Sequence, residues 1–509
     1  MKTIITTLNS RYSHSCLAIR YLEKYCAQYA PVAIEFSIND NINTVYSRLV
    51  QHHADIYCFS CYIWNITQIC RLAEMIKIAL PQSIIVFGGP QAEAFDYVDY
   101  LIMGEGEQAL YYLLGCLKNG GTPPRIIKKE TDLTKIPLPY TKSDILGQKN
   151  KIIYFETSRG CPFDCTYCLS SIDKRVRYFP WDYVEQALSL FFQNDVPIVK
   201  LVDRTFNCNS AWAEKIIDYT INNSKCTCVH LEIAPHLLTQ KQITLLCSTP
   251  HLFKLEMGIQ STNQKTLAAI NRTFDLEKAA QNIRQLGKSG IKMHLDLIAG
   301  LPFEDYASFK GSFDYVYSLQ PDMLQLGFLK VLKNTAMETQ PGIYYSKYPP
   351  FEVLKTDWLS AHEVCKLQQV ENAVDRFYNS GIFAKTINSL TSNTSAFSVF
   401  EQLGTMLAAA EEDGKESRYA LYDLLFSFGG NSIAYQLALD FLENNKHAPL
   451  PGFINRTAPE GYNTAFKKYT KQNNICLNDV RIEPIFDKIF LFDYKNKTTK
   501  IVSNDFWKV

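Results

Sequence analysis

Three cysteines close together on one segment are the residues of this chain best suited to chemistry. Cys161, Cys165 and Cys168 lie in TSRGCPFDCTYC (157–168), with the spacing C-x3-C-x2-C. Three thiolates on one loop can each ligate one iron of a [4Fe–4S] cube. With no fourth cysteine in the loop, one iron would stay open for a small molecule. The alternatives are a zinc site or three buried thiols, but zinc normally takes a fourth ligand and the next histidine is His230.

The segment CPFDCTYC resembles the signature of radical S-adenosylmethionine (SAM) enzymes, including the aromatic Tyr167 before the last cysteine. The resemblance extends over about residues 151–335. It implies that the open iron binds the amino and carboxylate groups of SAM and that one electron from the cluster cleaves a carbon–sulfur bond of SAM. The resulting 5′-deoxyadenosyl radical would abstract a hydrogen atom from the substrate. The family also implies an electron donor such as flavodoxin or ferredoxin.

Five further segments follow the cysteines in the order that this resemblance implies. They are LVDRTFN (201–207), HLEIAP (230–235), LEMGIQS (255–261), LDLIAGLPFED (295–305) and FLKVL (328–332). The sulfonium and ammonium groups of SAM need carboxylate partners, and its ribose hydroxyls need hydrogen-bonding groups. The candidate SAM contacts are Tyr167, Asp203, Arg204, Glu232, Glu256, Gln260, Ser261 and Asp296. For any single carboxylate, a structural role at a strand end is the alternative.

These residues require a scaffold that brings strand ends together. Strands are predicted at 151–157, 198–203, 228–233, 253–259, 292–300 and 323–331. Helical patterns lie between them at 181–193, 210–222, 239–247, 263–286 and 305–318. Six strand–helix repeats predict a partial (β/α)6 barrel, in which catalytic groups sit at the carboxyl ends of the strands.

Residues 1–110 predict a second α/β architecture, a doubly wound Rossmann-like domain. Its strands are predicted at 3–8, 32–38, 54–62, 83–89 and from 100, with helices near 17–25 and 67–79. Ligands of such sheets bind beyond the carboxyl ends of the strands, which are followed here by loops 9–14, 60–65, 88–91 and 104–107. Residues 119–150 are rich in Gly, Pro and Lys and predict a linker.

A Rossmann-like domain ahead of a radical SAM barrel resembles the cobalamin-binding radical SAM class. The segments SRYSHSCLAIRYL (10–22), FGGPQA (87–92) and MGEGEQAL (103–110) are similar to its N-terminal segments. The implied cobalamin contacts are Ser10, Tyr12, His14, Ser60, Gly88, Gly89, Glu105 and Gly106. Glycines let the backbone approach a corrin, although tight turns are the alternative reason for them.

The lower axial ligand of cobalt is not evident from the sequence. The D-x-H-x-x-G motif that supplies it in many cobalamin proteins is absent from residues 1–150. His14 could ligate cobalt, or it could be an ordinary hydrogen-bonding residue. Tyr62 or Trp64 could pack on the corrin, with a core role as the alternative.

The remainder of the chain changes character. Helices are predicted at 358–378, 397–411 and 417–444, and a hairpin at 487–494 and 498–505. This part resembles a mainly helical C-terminal domain of unknown function that accompanies some cobalamin-binding radical SAM proteins. Either it caps the barrel and shapes a solvent-free substrate pocket, or it is a docking or packing domain. The predicted domains are 1–135, 150–340 and 341–509.

Composition excludes some classes of protein. The 52 Lys and Arg balance 51 Asp and Glu, so binding of nucleic acid or anionic membrane by bulk charge is not expected. The 30 Tyr and 30 Phe are dispersed and give no specific nucleic-acid signal. With no signal-peptide pattern and no apolar stretch suited to a bilayer, a cytoplasmic location without membrane attachment is predicted. Most of the 15 cysteines are then expected to be reduced and buried.

Together these features predict a cytoplasmic enzyme that binds a [4Fe–4S] cluster, SAM and cobalamin and methylates an unactivated carbon. Methylcobalamin would deliver its methyl group to the substrate radical, and a second SAM would remethylate the cobalt. The substrate, a small molecule or a peptide, is not identified. One alternative is cyclisation or rearrangement. A second is methylthiotransferase-like modification of RNA or protein with a second cluster on Cys16, Cys58 and Cys61. A third is a non-enzymatic cobalamin- or metal-binding regulator.

Overall fold

The computed structural model describes residues 1–149, 151–412, 417–454, 460–473, 475, 479–486 and 488–502. Internal contacts divide the chain into two compact units. The first contains Met1–Phe309, Leu319–Pro321 and Phe328–Ser360; the second contains Lys310–Ser318, Asp322–Gly327 and the described residues from Ala361 onward. Within the described ranges, every helix is too short or too polar to span a membrane. The cytoplasmic location stays a prediction.

An α/β module opens the first unit. Its elements are β1 Thr3–Asn9, α1 Leu17–Tyr25, β2 Val32–Ser37, α2 Ile42–Val50, β3 Ile56–Ser60, α3 Ile66–Ala79, β4 Ile84–Gly88, β5 Tyr100–Ile102, α4 Glu107–Lys118, β6 Ile126–Ile127 and α5 Lys142–Leu146. The sheet order is β2-β1-β3-β4-β5-β6, with parallel neighbours throughout. Helices α2 and α3 pack on one face and α1 and α4 on the other, which makes β1 and β3 wholly buried. This arrangement confirms the Rossmann-like N-terminal domain.

The segment 119–150, predicted as a linker, contributes structure to this module. Ile126 and Ile127 form β6 and pair with Leu101 and Ile102 of β5. Ile127 is buried in the core beneath one sheet face. The prediction missed this strand because two residues are too few to show an alternating pattern.

The barrel follows along the chain, mostly in the same unit, but its segments Lys310–Ser318 and Asp322–Gly327 belong to the second unit. Its elements are β7 Ile153–Phe155, β8 Ser158–Arg159, β9 Arg177–Tyr178, α6 Trp181–Gln193, β10 Ile198–Leu201, α7 Ser210–Asn223, β11 Cys228–Glu232, α8 Gln240–Ser248, β12 Phe253–Gln260, α9 Gln264–Ala269, α10 Leu276–Gly287, β13 Lys292–Ala299, α11 Tyr306–Tyr317 and β14 Met323–Phe328. The sheet order β14-β13-β12-β11-β10-β7 follows the chain, which confirms the partial (β/α)6 barrel. Strands β8 and β9 form a separate antiparallel pair.

The single helix predicted over 263–286 is wrong, because the chain breaks it in two. Helix α9 ends at Ala269, and Asn271 adopts a left-handed backbone with φ of 53°. The side chain of Asp275 then accepts a hydrogen bond from the backbone N–H of Lys278 and starts α10. The break matters because it places Arg272 between the two helices.

The C-terminal part is mainly helical, as predicted. Its elements are β15 Ile343–Tyr345, β16 Val353–Thr356, α12 Ala361–Ala373, α13 Ala384–Thr391, α14 Ala396–Glu412, α15 Arg418–Gly429, α16 Ala434–Asn444, α17 Tyr462–Gln472, β17 Val480–Ile485, β18 Lys488–Asp493 and β19 Thr498–Ile501. The helix predicted over 417–444 is interrupted at Gly430, whose φ of 55° is unsuited to a helix.

The predicted terminal hairpin forms between β18 and β19, and β17 adds a third antiparallel strand. Residues 487 and 503–505 of that prediction lie outside the described residues.

Candidate functional site

The cysteine loop begins directly after β8 and is anchored by its own backbone. Cys161 and Cys165 are buried, and Cys168 is partly exposed. The N–H of Thr166 donates to the carbonyl of Ile270 at 3.1 Å, and its carbonyl accepts from the N–H of Met337 at 2.9 Å. The loop is therefore held from two sides at the residue that follows Cys165.

Gly160 is required immediately before the first cysteine. Its φ is 95°, and a Cβ there would lie 1.9 Å from the carbonyl oxygen of Arg175. We expect Gly160→Ala to lower the free energy of unfolding by more than about 2 kcal/mol, because it adds a backbone clash to the cost of a left-handed alanine. Chemical denaturation measures this. Gly290→Ala is the control, since Gly290 has φ of 79° but open space around it; an equal loss in both variants would contradict the prediction.

A buried cation touches the second cysteine. The Nη1 of Arg272 donates to the Sγ of Cys165 at 3.6 Å, and its Nη2 donates to the carbonyl of Gly258. Burial raises the pKa of the Cys165 thiol, and the Arg272 guanidinium opposes that shift. Sequence reasoning missed Arg272 because it fell inside the helix predicted over 263–286.

The side chain of Tyr167, within the cysteine loop, packs against protein groups and does not face solvent. It lies against an apolar cluster that includes Leu267, Ile270 and Leu329. Burial raises the pKa of Tyr167. These contacts give the predicted SAM contact a packing role as well.

The cysteine loop is not arranged as a site for one ion. Among the described residues, no three His, Cys, Asp or Glu side chains converge to hold a single metal ion. Zinc needs such convergence, whereas a cube spreads its cysteines over separate irons.

Asp203 is fully enclosed by protein groups. It accepts from the N–H of Thr157 at 2.9 Å, the Oγ1 of Thr157 at 2.6 Å and the Oγ of Ser158 at 2.5 Å. Burial raises its pKa. These contacts tie the end of β10 to the segment before the cysteines, while Arg204, also predicted to contact SAM, is exposed.

A charged network that sequence reasoning only partly identified lies across β10 to β13. The Nζ of Lys200 is 3.1 Å from Glu232 Oε1 and 2.8 Å from Glu256 Oε2. His230 Nε2 lies 3.0 Å from Glu256 Oε2 and His294 Nε2 lies 2.9 Å from Asp296 Oδ1. Three predicted SAM contacts, Glu232, Glu256 and Asp296, are thus brought together with Lys200 and two histidines. Of these three basic residues only His230 lies in a segment singled out from the sequence, HLEIAP, and none of the three was predicted as a site residue.

Burial in this network affects its carboxyl groups differently. Burial raises the pKa of Glu232 and of Asp296. For Glu256, burial alone would act in the same direction, but the hydrogen bond from His230 and the charge of Lys200 hold its pKa well below the usual range. Glu256 is therefore the anionic centre of the network.

We expect Glu256→Gln to destabilise the barrel by about 3 kcal/mol, because it removes one partner of a buried ion pair. Since the folded pKa of Glu256 is lowered, its stabilisation is present above the ordinary carboxyl pKa and is lost as the pH falls below it. Urea denaturation of wild type and variant between neutral and acidic pH measures both effects. The control Glu214→Gln breaks an exposed pair with Lys241 and should change stability little. If the free energies of unfolding of wild type and Glu256→Gln differed by the same amount at every pH, the predicted loss of this stabilisation in acid would be contradicted.

The side chains of the adjacent residues Gln260 and Ser261 differ in their hydrogen-bond partners. The register between β12 and β13 shifts between Gly258 and Gln260, and Gln260 has φ of 71°. Its buried Oε1 has no hydrogen-bond partner among the described residues, as expected for a ligand contact. The Oγ of Ser261 instead donates to Glu304 at 2.7 Å, a structural contact.

The first loop of the N-terminal module holds three predicted cobalamin contacts. Ser10 Oγ lies 3.3 Å from His14 Nδ1, and the His14 ring is 5.9 Å from that of Tyr154 on β7. Burial, with the nearby charges of Arg11 and Lys200, lowers the pKa of His14. Tyr12 is exposed and donates to Asp40 at 3.1 Å. Ser10 and His14 thus lie together near the barrel, and Tyr12 does not join them.

The next two loops pack tightly on each other. A Cβ on Gly89, whose φ is 99°, would lie 2.7 Å from the carbonyl oxygen of Cys61, so chain packing itself requires glycine there. Gly88 accepts from the N–H of Cys61 at 2.7 Å, and Ser60 is buried at the end of β3. The Tyr62 and Trp64 rings stack at 4.5 Å with Trp64 exposed, which forms an aromatic surface at this edge.

The last loop, with Glu105 and Gly106, faces the cysteine segment. Glu105 forms ion pairs with Arg159 and Arg177. A Cβ on Gly106 would lie 2.9 Å from Leu22 Cδ2, so this glycine lets α4 approach α1.

The second-cluster alternative on Cys16, Cys58 and Cys61 is not supported. Cys58 belongs to the core on one face of the sheet and Cys61 to the core on the other. Burial raises the thiol pKa of all three. Separated, buried thiols of this kind are inert.

The described residues fit the cofactors that the resemblance implies. Three thiols spread along one loop, with a cation against the middle one, suit a [4Fe–4S] cluster. An unpartnered Gln260 oxygen and the half-buried carboxylates of Glu232 and Asp296 suit a cationic, hydroxyl-bearing ligand such as SAM. Loops at one sheet edge with an exposed aromatic stack suit a large planar group such as cobalamin.

Three sequence families match successive parts of the chain. Residues 4–114 match the B12 binding domain, residues 155–316 match the radical SAM superfamily and residues 340–503 match the "Protein of unknown function (DUF4080)". The order agrees with the three modules expected from the sequence.

Curated proteins are similar to about half of the chain. The chain is 26% identical over 299 residues to 2-(S-pantetheinyl)-carbapenam-3-carboxylate methyltransferase of Streptantibioticus cattleyicolor, covering 50% of this chain and 44% of that protein. It is 25% identical over 335 residues to the cobalamin-dependent radical SAM methyltransferase TokK of Streptomyces tokunonensis, covering 57% of this chain and 49% of that protein. The chain thus spans about half the length of these relatives.

Solved structures share the fold. The cobalamin-dependent S-adenosylmethionine radical enzyme OxsB, solved with aqua-cobalamin bound, superimposes with a TM-score of 0.60 at 14% identity, over 92% of this chain and 84% of that chain. The methyltransferase TsrM of Kitasatospora setae gives 0.57 at 13% identity, over 69% and 80%. This chain therefore combines a B12 binding domain, a radical SAM domain and a C-terminal domain of unknown function, and it is similar to a cobalamin-dependent radical SAM methyltransferase.

Proposed function

We propose that this protein is a cobalamin-dependent radical SAM methyltransferase that methylates an unactivated carbon of a small molecule or peptide. The observation that carries the proposal is the anchored cysteine loop, with Arg272 against Cys165, beside the edge of a B12-binding domain. When bound, the cluster would supply the electron that cleaves SAM, and cobalamin would carry the methyl group. The proposed modules are 1–135, 150–340 and 341–509.

The protein's own residues would bind and orient these groups. Cys161, Cys165 and Cys168 would ligate the cluster, and Arg272 would offset its negative charge. Gln260, Glu232 and Asp296 are proposed to contact SAM. Ser10, His14 and the Tyr62–Trp64 stack are proposed to face cobalamin, whereas the contacts of Asp203 and Ser261 favour structural roles for these two residues.

The proposal also covers the surroundings of the enzyme. It places the protein in the cytoplasm, with a flavodoxin or ferredoxin as electron donor and no membrane or nucleic-acid partner. The near-zero net charge supports the last point.

The test is anaerobic reconstitution with iron, sulfide and cobalamin, followed by reduction in the presence of SAM and candidate substrates. About four irons and about one cobalt per chain are expected. Each methylation should release one 5′-deoxyadenosine and one S-adenosylhomocysteine, because one SAM supplies the radical and another the methyl group. Release of 5′-deoxyadenosine alone, with a cyclised product, would instead support the chemistry of relatives such as the anaerobic magnesium-protoporphyrin IX monomethyl ester cyclase of Synechocystis, 24% identical over 255 residues. Cobalamin binding without SAM cleavage would support the regulator.

A further inference from the structure

We propose that Glu105 and Glu107, the two acidic residues of the MGEGE segment, position the cysteine loop of the barrel by binding Arg159 and Arg177. They would act as positioning residues for the iron–sulfur cluster, not as contacts of cobalamin. The inference rests on the cluster assignment of the proposed function but names residues that lie outside the barrel itself.

Arg159 is the central contact. It lies on β8, two residues before Cys161. Its Nη2 donates to Glu107 Oε1 at 2.6 Å and its Nη1 donates to Glu107 Oε2 at 3.2 Å. Nη1 also lies 3.3 Å from Glu105 Oε1. A two-pronged pair of this kind fixes direction as well as distance, so it can hold the backbone of β8 in one place.

The Arg159 guanidinium is shielded from water, which strengthens its ion pairs with the two glutamates. It lies over the rings of Tyr21 and Phe179, at 5.6 and 5.7 Å from their centroids. Glu156 accepts a further hydrogen bond from Arg159 Nε at 2.9 Å. In such an environment the loss of one partner removes a shielded, charge-assisted hydrogen bond, a larger effect than at an exposed ion pair.

The second arginine completes a clamp at the base of the loop. Arg177 on β9 is the direct strand partner of Arg159 on β8. It pairs with Glu105 and donates from Nη1 to the carbonyl of Thr131 at 3.1 Å. Residues 160–176, which contain all three cluster cysteines, therefore form a loop whose two ends are both held by the MGEGE segment.

Protein groups already occupy the Glu105 carboxylate. Its Oε1 forms ion pairs with Arg159 and Arg177, and its Oε2 accepts a hydrogen bond from the N–H of Thr131 at 2.8 Å. Burial alone would raise the pKa of Glu105, but the hydrogen bonds from Arg177 and from the N–H of Thr131 lower it, so the group stays anionic. A carboxylate that is anionic and fully used by the protein is suited to holding the loop rather than to contacting the corrin.

The experiment compares the double variant Glu105→Gln/Glu107→Gln with wild type as full-length protein. In metal-free protein, the rate at which iodoacetamide labels Cys161 and Cys165 should rise at least about fivefold, because the loop opens locally. Exposed Cys226 is the internal reference. After reconstitution, iron per chain should fall at least about twofold and the electron paramagnetic resonance spectrum of the reduced cluster should change, with cobalt per chain unchanged. The matched control Asp99→Asn breaks the Lys77–Asp99 pair in the same module and should alter none of these.

Several results would overturn the proposal. Loss of cobalt with iron retained would identify the glutamates as cobalamin contacts. Unchanged labelling and unchanged iron would show that the clamp does not hold the loop. If the double variant does not fold, the single variant Glu105→Gln is measured in the same way, and unchanged labelling there would count equally against the proposal. The labelling assay needs no cofactor, so it tests this inference independently of the proposed function. Failure of the proposed function would instead be seen as wild-type protein that cannot cleave SAM.

Discussion

Cys165→Ala is expected to abolish cluster binding and the release of 5′-deoxyadenosine together. Each of the three cysteines would hold one iron, and the loop offers no further thiol to replace the lost one. Cys165 is also the cysteine whose Sγ accepts the hydrogen bond from the Arg272 guanidinium. Iron per chain, the visible absorption of the cluster and the rate of 5′-deoxyadenosine release with SAM and reductant measure the effect.

Cys208→Ala is the matched control for this experiment. Cys208 is half-buried, whereas Cys165 is buried, and the Sγ of Cys208 lies 3.6 Å from the hydroxyl of Tyr178, which follows the loop. Removing it should leave iron content and SAM cleavage near wild type. Retention of four irons and of SAM cleavage in Cys165→Ala would rule out the cluster assignment.

Arg272→Met is expected to slow the release of 5′-deoxyadenosine by at least about tenfold. The variant keeps the apolar length of the side chain but removes a charge-assisted hydrogen bond to Cys165, which is worth about 1.5–3 kcal/mol. Loss of a neighbouring positive charge should also make the reduction potential of the cluster more negative, because the reduced cluster carries more negative charge.

The measurements for this variant are the rate of SAM cleavage and a redox titration of the reconstituted cluster. Arg284→Met, an exposed position on the neighbouring helix α10, is the control and should leave both unchanged. An unchanged potential together with a wild-type rate would show that Arg272 has no role at the cluster.

The local sequence pattern was sufficient to predict the architecture. The alternation of strands and helices predicted a doubly wound sheet and a partial barrel, because buried parallel strands are apolar runs and each helix shows its own period. The spatial order of the N-terminal strands and the short β6 were not predicted. The cysteine spacing likewise predicted a cluster loop, and its three ligands stay a prediction. Breaks such as that near Asn271 were missed, since a left-handed residue inside a helical pattern leaves little local signal.

The partners of the site residues were decided only by the tertiary structure. Arg272 reaches Cys165 across 107 residues of chain, and Arg159 reaches Glu107 across 52. Lys200 becomes the neighbour of Glu256 because β10, β11 and β12 are adjacent in the sheet. A sequence shows which groups carry charge. Which charged groups pair with each other depends on strand register, burial and the approach of the N-terminal module to the barrel. These pairs are the reason why Glu105 is proposed to hold the cysteine loop and why Glu256 is the anionic centre of its network.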